Sequence, residues 1–478
     1  MQREPQDTAY RPDPAILPLA RWLGAPVQPA QFPQTQLRFR NDKAAKEVGL
    51  AGLSDAEWIA HFGRFEPLAD NLPEPLALKY HGHQFHNYNP DIGDGRGFLF
   101  AQMRDDADRL LDLGTKGSGQ TPYSRAGDGR LTLKGAVREL LATEFLQALG
   151  CNTSRTFSII ETGEELMRGD EPSPTRSAVL IRLNHGHIRI GTFQRLLAIE
   201  RPDEMKQLVD YCLTQFPGPE MPKDVPGQGE PAVRLMHHLV ERMADLAASY
   251  MVAGFVHGVL NTDNMNVSGE SFDYGPWRWL PEWNPSFTAA YFDRNGLYAF
   301  GRQPEAMHWN CGQFAVALRL IADAPPLIAA LDRYGPLYMD AIARRWCWRL
   351  GVAQSTPKRD PERDGALIAA SERTMRETGE TPDAFFFRHR AGRGATGDMA
   401  EALCGYEPVA PGAPGHDYWN APEPQSMLIE EVEDLWSHID ERDDWQPLYD
   451  KVAALRMVGA AHGMPPFLAG TVPTRSPD

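Results

Sequence analysis

The chain has 478 residues, 42% of them apolar, and a formal charge of −16; this allows a large core and excludes a broadly basic nucleic-acid-binding surface. Five scattered cysteines (Cys151, Cys212, Cys311, Cys347, Cys404) with no CxxC spacing point to reduced thiols and not to a disulfide framework. No apolar run approaches the roughly 20 residues that span a bilayer, and MQREPQDTAYRPDPAILPLA at the start lacks a basic, then apolar, signal pattern, so a cytoplasmic chain without a membrane segment is expected.

Residues 1–60 are rich in Pro and Gln and are expected to form an irregular extension wrapped around a larger body. Leu76–Tyr80 then leads into HGHQFHNYNPDIGDGRGFLFAQ, where Gly93-Asp94-Gly95-Arg96-Gly97 precedes the apolar Phe98–Phe100. A glycine turn feeding a short apolar run reads as loop then strand. Glycines let the backbone approach a phosphate closely, and Arg96 adds charge. Leu111–Thr115 reads as a second strand, ending at Lys116, and GSGQTPYSRAGDGR follows it, so Gly127-Asp128-Gly129-Arg130 repeats the earlier turn.

Leu131–Leu149 has apolar residues at helical spacing, and Gly150 is placed to end the helix. Spacing alone makes Glu139 a surface carboxylate beside Arg138 or Lys134; a strand lysine followed by a helix glutamate is also how kinases hold ATP phosphates. Thr153–Ile160 and Ser177–Leu183 are β-rich, and Arg182 and Arg189, seven residues apart, could grip a phosphate. His185 and His187 could share a strand face, but zinc sites need three or four ligands, and neither these nor His81, His83 and His86 show that spacing.

Pro231–Met251 is expected to be a long buried helix that breaks at Gly254 and delivers the chain to HGVLNTDNMNVSGESFDYG, residues 257–275. Asp263, Asn264 and Asp273 there supply the oxygen ligands and proton acceptor that phosphate chemistry with a divalent metal requires. The Trp- and Pro-rich stretch after Gly275 is expected to be extended, with helices over Gly301–Ile321, Leu327–Leu350, Pro361–Thr378, Met427–Ile439 and Trp445–Met457. Ala391–Asp417 is expected to be loop and GTVPTRSPD a frayed tail.

Taken together, GHQF (82–85), GDGRG (93–97), KGSGQTPYSRAGDGR (116–130), HGVLNTDNM (257–265) and DYGP (273–276), with Arg138-Glu139, AVLIR (178–182), Arg189 and QP…WN (303–310), resemble the selenoprotein O family, or YdiU-type protein adenylyltransferases. The resemblance covers residues 80 to about 310. It implies an α+β, atypical protein-kinase-like two-lobe fold: an extension over 1–60, a strand-rich N-lobe over 61–190 and a helical C-lobe with family-specific extensions over 191–478. It further implies AMP transfer from ATP, bound in reversed orientation, to protein Ser, Thr or Tyr hydroxyls by a monomer. Lys116 would hold phosphates and pair with Glu139, while Gly93, Gly95, Arg96, Asp128 and Gly129 would line the nucleotide pocket. Arg182 and Arg189 would hold the γ-phosphate, Asp263 would accept the proton, and Asn264 and Asp273 would bind Mg²⁺ or Mn²⁺. The alternatives are UMP transfer with Mn²⁺, or a nucleotide-binding scaffold without activity.

The sequence departs from the family pattern at GHQFHNYNP, at Thr115 and Ser118, and at Gln194, where glutamate is frequent. None of these removes a phosphate or metal group. No cysteine follows Cys404, whereas many members carry cysteine or selenocysteine near the end.

Overall fold

An antiparallel sheet of eight strands organises the first 190 residues. The computed structural model of the chain describes residues 9–463 and 465, apart from 170, 220–224, 228, 357, 358 and 410–415; the tail expected to fray lies outside them. Across the sheet the order is Gly24–Pro26, Leu76–Leu78, Leu99–Arg104, Leu110–Lys116, Thr175–Asn184, Arg155–Leu166 and Gln36–Arg40, with Leu131–Thr132 also pairing onto Thr175–Asn184. The central strands Leu110–Lys116 and Thr175–Asn184 are buried at nearly every position because both faces are covered. Neighbouring residues alternate between two cores: Ile159 and Leu180 face one, Ile160 and Val179 the other.

The first 60 residues are therefore not the irregular wrapping expected of them. They supply both edge strands, Gly24–Pro26 and Gln36–Arg40, and the helices Asp42–Glu47 and Asp55–Gly63, which cover one face of the sheet. Ser54 and Glu57 close a reciprocal capping box on the second of these helices, and Trp58 stacks on Phe157 with ring centroids 4.8 Å apart. Edge strands of three and five residues are too short to show a period, so composition dominated the expectation.

The opposite face carries the helix Leu133–Ala148, capped by Thr132, and a large core shared with the helices Pro231–Ala253 and Gln303–Leu318. Two helices absent from the expectation, Ile190–Ala198 and Pro202–Gln215, connect the sheet to these. Further on, the expected Leu327–Leu350 divides into Ala324–Leu331 and Tyr334–Leu350. Within the expected loop Ala391–Asp417 lie a helix at Gly397–Ala402 and a strand at Tyr406–Pro408, which pairs with Val352–Gln354. No helix among the described residues is long and apolar enough to cross a membrane.

Gly254, with φ +66°, ends Pro231–Ala253, and Phe255–Val256 pairs with Arg278–Trp279. That two-stranded clasp closes the loop 257–277 and holds it against the sheet.

Candidate active site

The loop 257–277 is fixed by side chains from outside it. Gln303 accepts from the His257 amide at 3.0 Å and donates to the Phe255 carbonyl at 2.8 Å. Asn310 donates to the Leu260 carbonyl at 2.8 Å, and Arg242 to that of Val267 at 3.0 Å. The Thr262 hydroxyl donates to Gln194 Oε1 at 2.6 Å and accepts from the His83 amide at 2.7 Å. Asn261 Oδ1 accepts from the Phe85 amide and the Tyr298 hydroxyl, so the short hairpin Gly82–Gln84/Asn87–Asn89 is bound to the loop. Buried hydrogen bonds of this kind hold a reacting group in one place.

Asp263 sits in a single 3₁₀ turn, Thr262–Asn264, and is buried. Its Oδ2 accepts a 3.3 Å bond from Gln84 Nε2, whereas Oδ1 has no hydrogen-bond partner among the described residues. Burial pushes this carboxyl up to about 6, against the pull of Arg189. Its backbone carbonyl accepts from Arg189 Nη1 at 2.7 Å.

Asp273 is held in the left-handed region, with φ +58°, which Asp tolerates better than most residues. Arg182 Nη1 donates to its Oδ1 at 2.6 Å, and Arg189 Nη1 donates to its Oδ2. Lys116 Nζ stands 4.0 Å from Oδ1 and donates to Glu139 Oε2 at 2.5 Å. Although burial opposes ionisation of Asp273, Arg182, Arg189 and Lys116 hold its carboxyl well below the usual range. Arg189 also reaches Asp94 Oδ1 at 3.2 Å and lies over the rings of Tyr80 and Phe272.

Glu139 is therefore no surface carboxylate. It is 2% exposed and faces Lys116 from the buried side of its helix. Spacing places it at the edge of the apolar stripe, and Lys116, at the end of the strand Leu110–Lys116, meets it there.

The two glycine turns face each other. The Thr121 hydroxyl donates to the Asp94 carbonyl at 2.5 Å, and a Cβ on Gly93 would lie 2.6 Å from the Tyr123 ring. Gly129, with φ +71°, leaves no room either, since a Cβ would lie 2.2 Å from the Gly119 carbonyl. Asp128 stands at the rim, paired with Arg168 at 2.8 Å, while Arg96 is exposed and makes no ion pair among the described residues.

These elements enclose one cleft of about 740 Å³, lined by every predicted site residue except Glu139, which stands behind Lys116. Seven Lys or Arg side chains line it against four Asp. In a chain of charge −16, that local excess of positive charge makes this a site for a polyanion. Sequence reasoning missed Asp94, Gln84, Asn261 and Gln194 as members of the site. Asp94 lay within a quoted turn, but its partner Arg189 is 95 residues away. His187 donates to Asp112 at 3.1 Å and His185 meets the Gln215 carbonyl at 3.2 Å. Among the described residues no three His, Cys, Asp or Glu side chains are grouped to hold a metal.

Residues 10–400 match the family described as protein adenylyltransferase SelO. A protein nucleotidyltransferase YdiU of Synechococcus elongatus is 49% identical over 344 residues, 71% of this chain and 68% of that protein. The YdiU protein of Trichodesmium erythraeum is 41% identical over 467 residues, covering 92% and 96%. That of Synechocystis is 39% identical over 474 residues, covering 93% and 97%. With the polyanion cleft built from the residues that carry the likeness, the chain belongs to the SelO family and is a nucleotidyltransferase.

Proposed function

We propose that the chain transfers AMP from ATP to Ser, Thr or Tyr hydroxyls of proteins, with the triphosphate reversed so that its γ-phosphate points inward. The observation that carries this reading is the buried pair Arg182 and Arg189 at the depth of the cleft, both 3–4% exposed and both on Asp273. A γ-phosphate at the mouth would leave these cations to Asp273 alone, whereas an inward one would meet both. The α-phosphorus would then face Asp263. The acceptor oxygen attacks that phosphorus, its proton passes to Asp263, and the bond to the bridging oxygen breaks to release pyrophosphate.

Asp263 suits a proton acceptor because its Oδ1 has no hydrogen-bond partner among the described residues and its basicity is raised by burial. Lys116, oriented by Glu139, would bind phosphate oxygens, and Gly93, Gly95, Arg96, Asp128 and Gly129 would line the nucleoside end. The all-oxygen donors of Asn264 and Asp273 fit Mg²⁺ or Mn²⁺, which prefer such ligands. When bound, the ion would neutralise charge on the phosphates. We also read the architecture as kinase-like, with an N-lobe over 61–190 and a C-lobe over 191–478, meeting at the cleft.

The test is a paired labelling assay. ATP labelled at the α-phosphate should label an acceptor protein or the enzyme itself, with an intact-mass increase of one AMP group, and γ-labelled ATP should not. Asp263→Asn should abolish the signal. Label arriving only from the γ position would replace this reading with an ordinary kinase, and ATP binding without any transfer would favour a scaffold.

A further inference from the structure

Beside the main cleft lies a second chamber of about 330 Å³, behind Lys116. Its walls are the first turns of the helix Leu133–Ala148, the segment Tyr274–Trp277 that follows Asp273, and Arg168 and Glu171 from the loop between two sheet strands. Five cations line it, Arg96, Lys116, Arg130, Arg138 and Arg168, against Glu139 and Glu171. Three of the five are already paired: Lys116 with Glu139, Arg130 with Glu164 and Arg168 with Asp128.

Arg138 differs from these three. Its guanidinium lies over the Trp277 ring, 4.5 Å from the centroid, and donates to the Trp277 carbonyl at 3.2 Å. Among the described residues it makes no ion pair. Burial, with Arg278 nearby, brings its guanidinium down to about 10, against the opposing pull of Glu433 and Glu171. A part-buried arginine fixed by an aromatic face, with Glu433 and Glu171 acting on it only from beyond ion-pair distance, can still receive a planar anion. Opposite it, a Cβ on Gly275 would meet nothing within 4 Å, so the chamber is open there.

The main cleft is by itself within the roughly 300–1,000 Å³ of small-molecule sites. On the transferase reading the deep cations of that cleft go to the triphosphate, and Arg138 lines the chamber but not the cleft. We propose that this chamber binds a carboxylate carried by the acceptor protein beside its target hydroxyl, which makes acidic segments the preferred acceptors. The identity of the acceptor rests on the transferase reading above; the binding site does not.

The probes are a fluorescein-labelled peptide with one tyrosine flanked by glutamates and its glutamine-flanked twin, titrated by anisotropy against the full chain. The glutamate peptide should bind about tenfold more tightly, a gap of about one decade in Kd. Arg138→Met, which keeps the stem over Trp277, should close the gap, and Arg138→Lys should restore part of it. Glu171→Gln, which removes a negative wall, should widen it about two- to threefold. A fluorescent ATP analogue should bind wild type and Arg138→Met alike. Equal binding of the two peptides to wild type would overturn the proposal, as would a gap that survives Arg138→Met. It would equally be overturned if Arg138→Met weakened ATP or pyrophosphate binding and left the peptides alone, since the anion would then be the nucleotide's. If no nucleotide is transferred to any acceptor, the transferase reading fails while these binding constants still decide this one.

Discussion

Replacing Asp273 by Asn should weaken the folded state and at the same time strengthen the binding of metal-free ATP. In the cleft Lys116, Arg182 and Arg189 are balanced by Glu139, Asp273 and Asp94 within one buried cluster. Asn keeps the shape and tolerates φ +58°, so the backbone is not the cause of any loss. Removing one partner from a buried ion pair costs about 3–5 kcal/mol, because the other charge stays buried. The Asn amide oxygen still accepts one arginine bond, which places the expected loss near 3 kcal/mol. On the proposed reading, a triphosphate in wild type competes with the Asp273 carboxylate for both guanidiniums. With that competitor neutralised, ATP in EDTA should bind about tenfold more tightly, which is about 1.4 kcal/mol. The reverse should hold with Mn²⁺: in wild type ATP should tighten Mn²⁺ binding, by freeing Asp273, and in Asp273→Asn this reciprocal gain should vanish. Urea titration followed by tryptophan fluorescence reads the first effect, and nucleotide titration with and without EDTA reads the others. An Asp273→Asn protein as stable as wild type, or one that binds metal-free ATP more weakly, would refute the reasoning.

Glu270 is buried beneath the site, accepts from the His185 amide at 2.7 Å, and is raised by burial from 4.5 to about 7. The folded state therefore holds this proton more tightly than the unfolded state, so its effect is to lower stability as pH rises from about 4.5 to 7, with no further change above. Glu270→Gln should match wild type near pH 5 and exceed it by roughly 2–3 kcal/mol at pH 8 in urea titrations; curves that stay parallel across that range would contradict the assignment. Gln194→Ala removes the link between Thr262 and His83 without touching the cleft cations. It should lower kcat about 10- to 100-fold and leave ATP affinity within about twofold, since one buried acceptor is worth about 1–3 kcal/mol; an equal loss of ATP affinity would show that Gln194 shapes the nucleotide pocket instead.

The central elements were legible because both signals that define them are local. Leu110–Lys116 and Thr175–Asn184 each carry a short apolar run, Leu110–Leu113 broken only by Asp112 and Ala178–Ile181, and Pro231–Ala253 carries a helical stripe ended by Gly254. The first 60 residues were not legible, since their order is borrowed. Gly24–Pro26 is a strand only because Leu76–Leu78 pairs with it, and Trp58 and Phe62 are buried only because Phe157 and Phe100 stand opposite. A three-residue strand has no period, and an aromatic residue in a Pro- and Gln-rich stretch does not announce its partner.

The site divides along the same line. Glycine turns and the Asp263, Asn264 and Asp273 cluster could be read from spacing within 20 residues, whereas every ion pair that gives the cleft its character spans a longer gap. Arg182 and Asp273 are 91 residues apart, and Lys116 and Glu139 are 23 apart on different elements. Read alone, the arginines suggested a grip for phosphate and Glu139 a solvated carboxylate. The fold puts Asp273 where that phosphate was expected and closes a lysine over the glutamate. This follows from the cost of burial: a guanidinium withdrawn from water needs an anion at once. Arg182 and Arg189, both withdrawn from water in the cleft, are answered by Asp273, which a loop clasped by Phe255–Val256 and Arg278–Trp279 carries between them from 91 and 84 residues away.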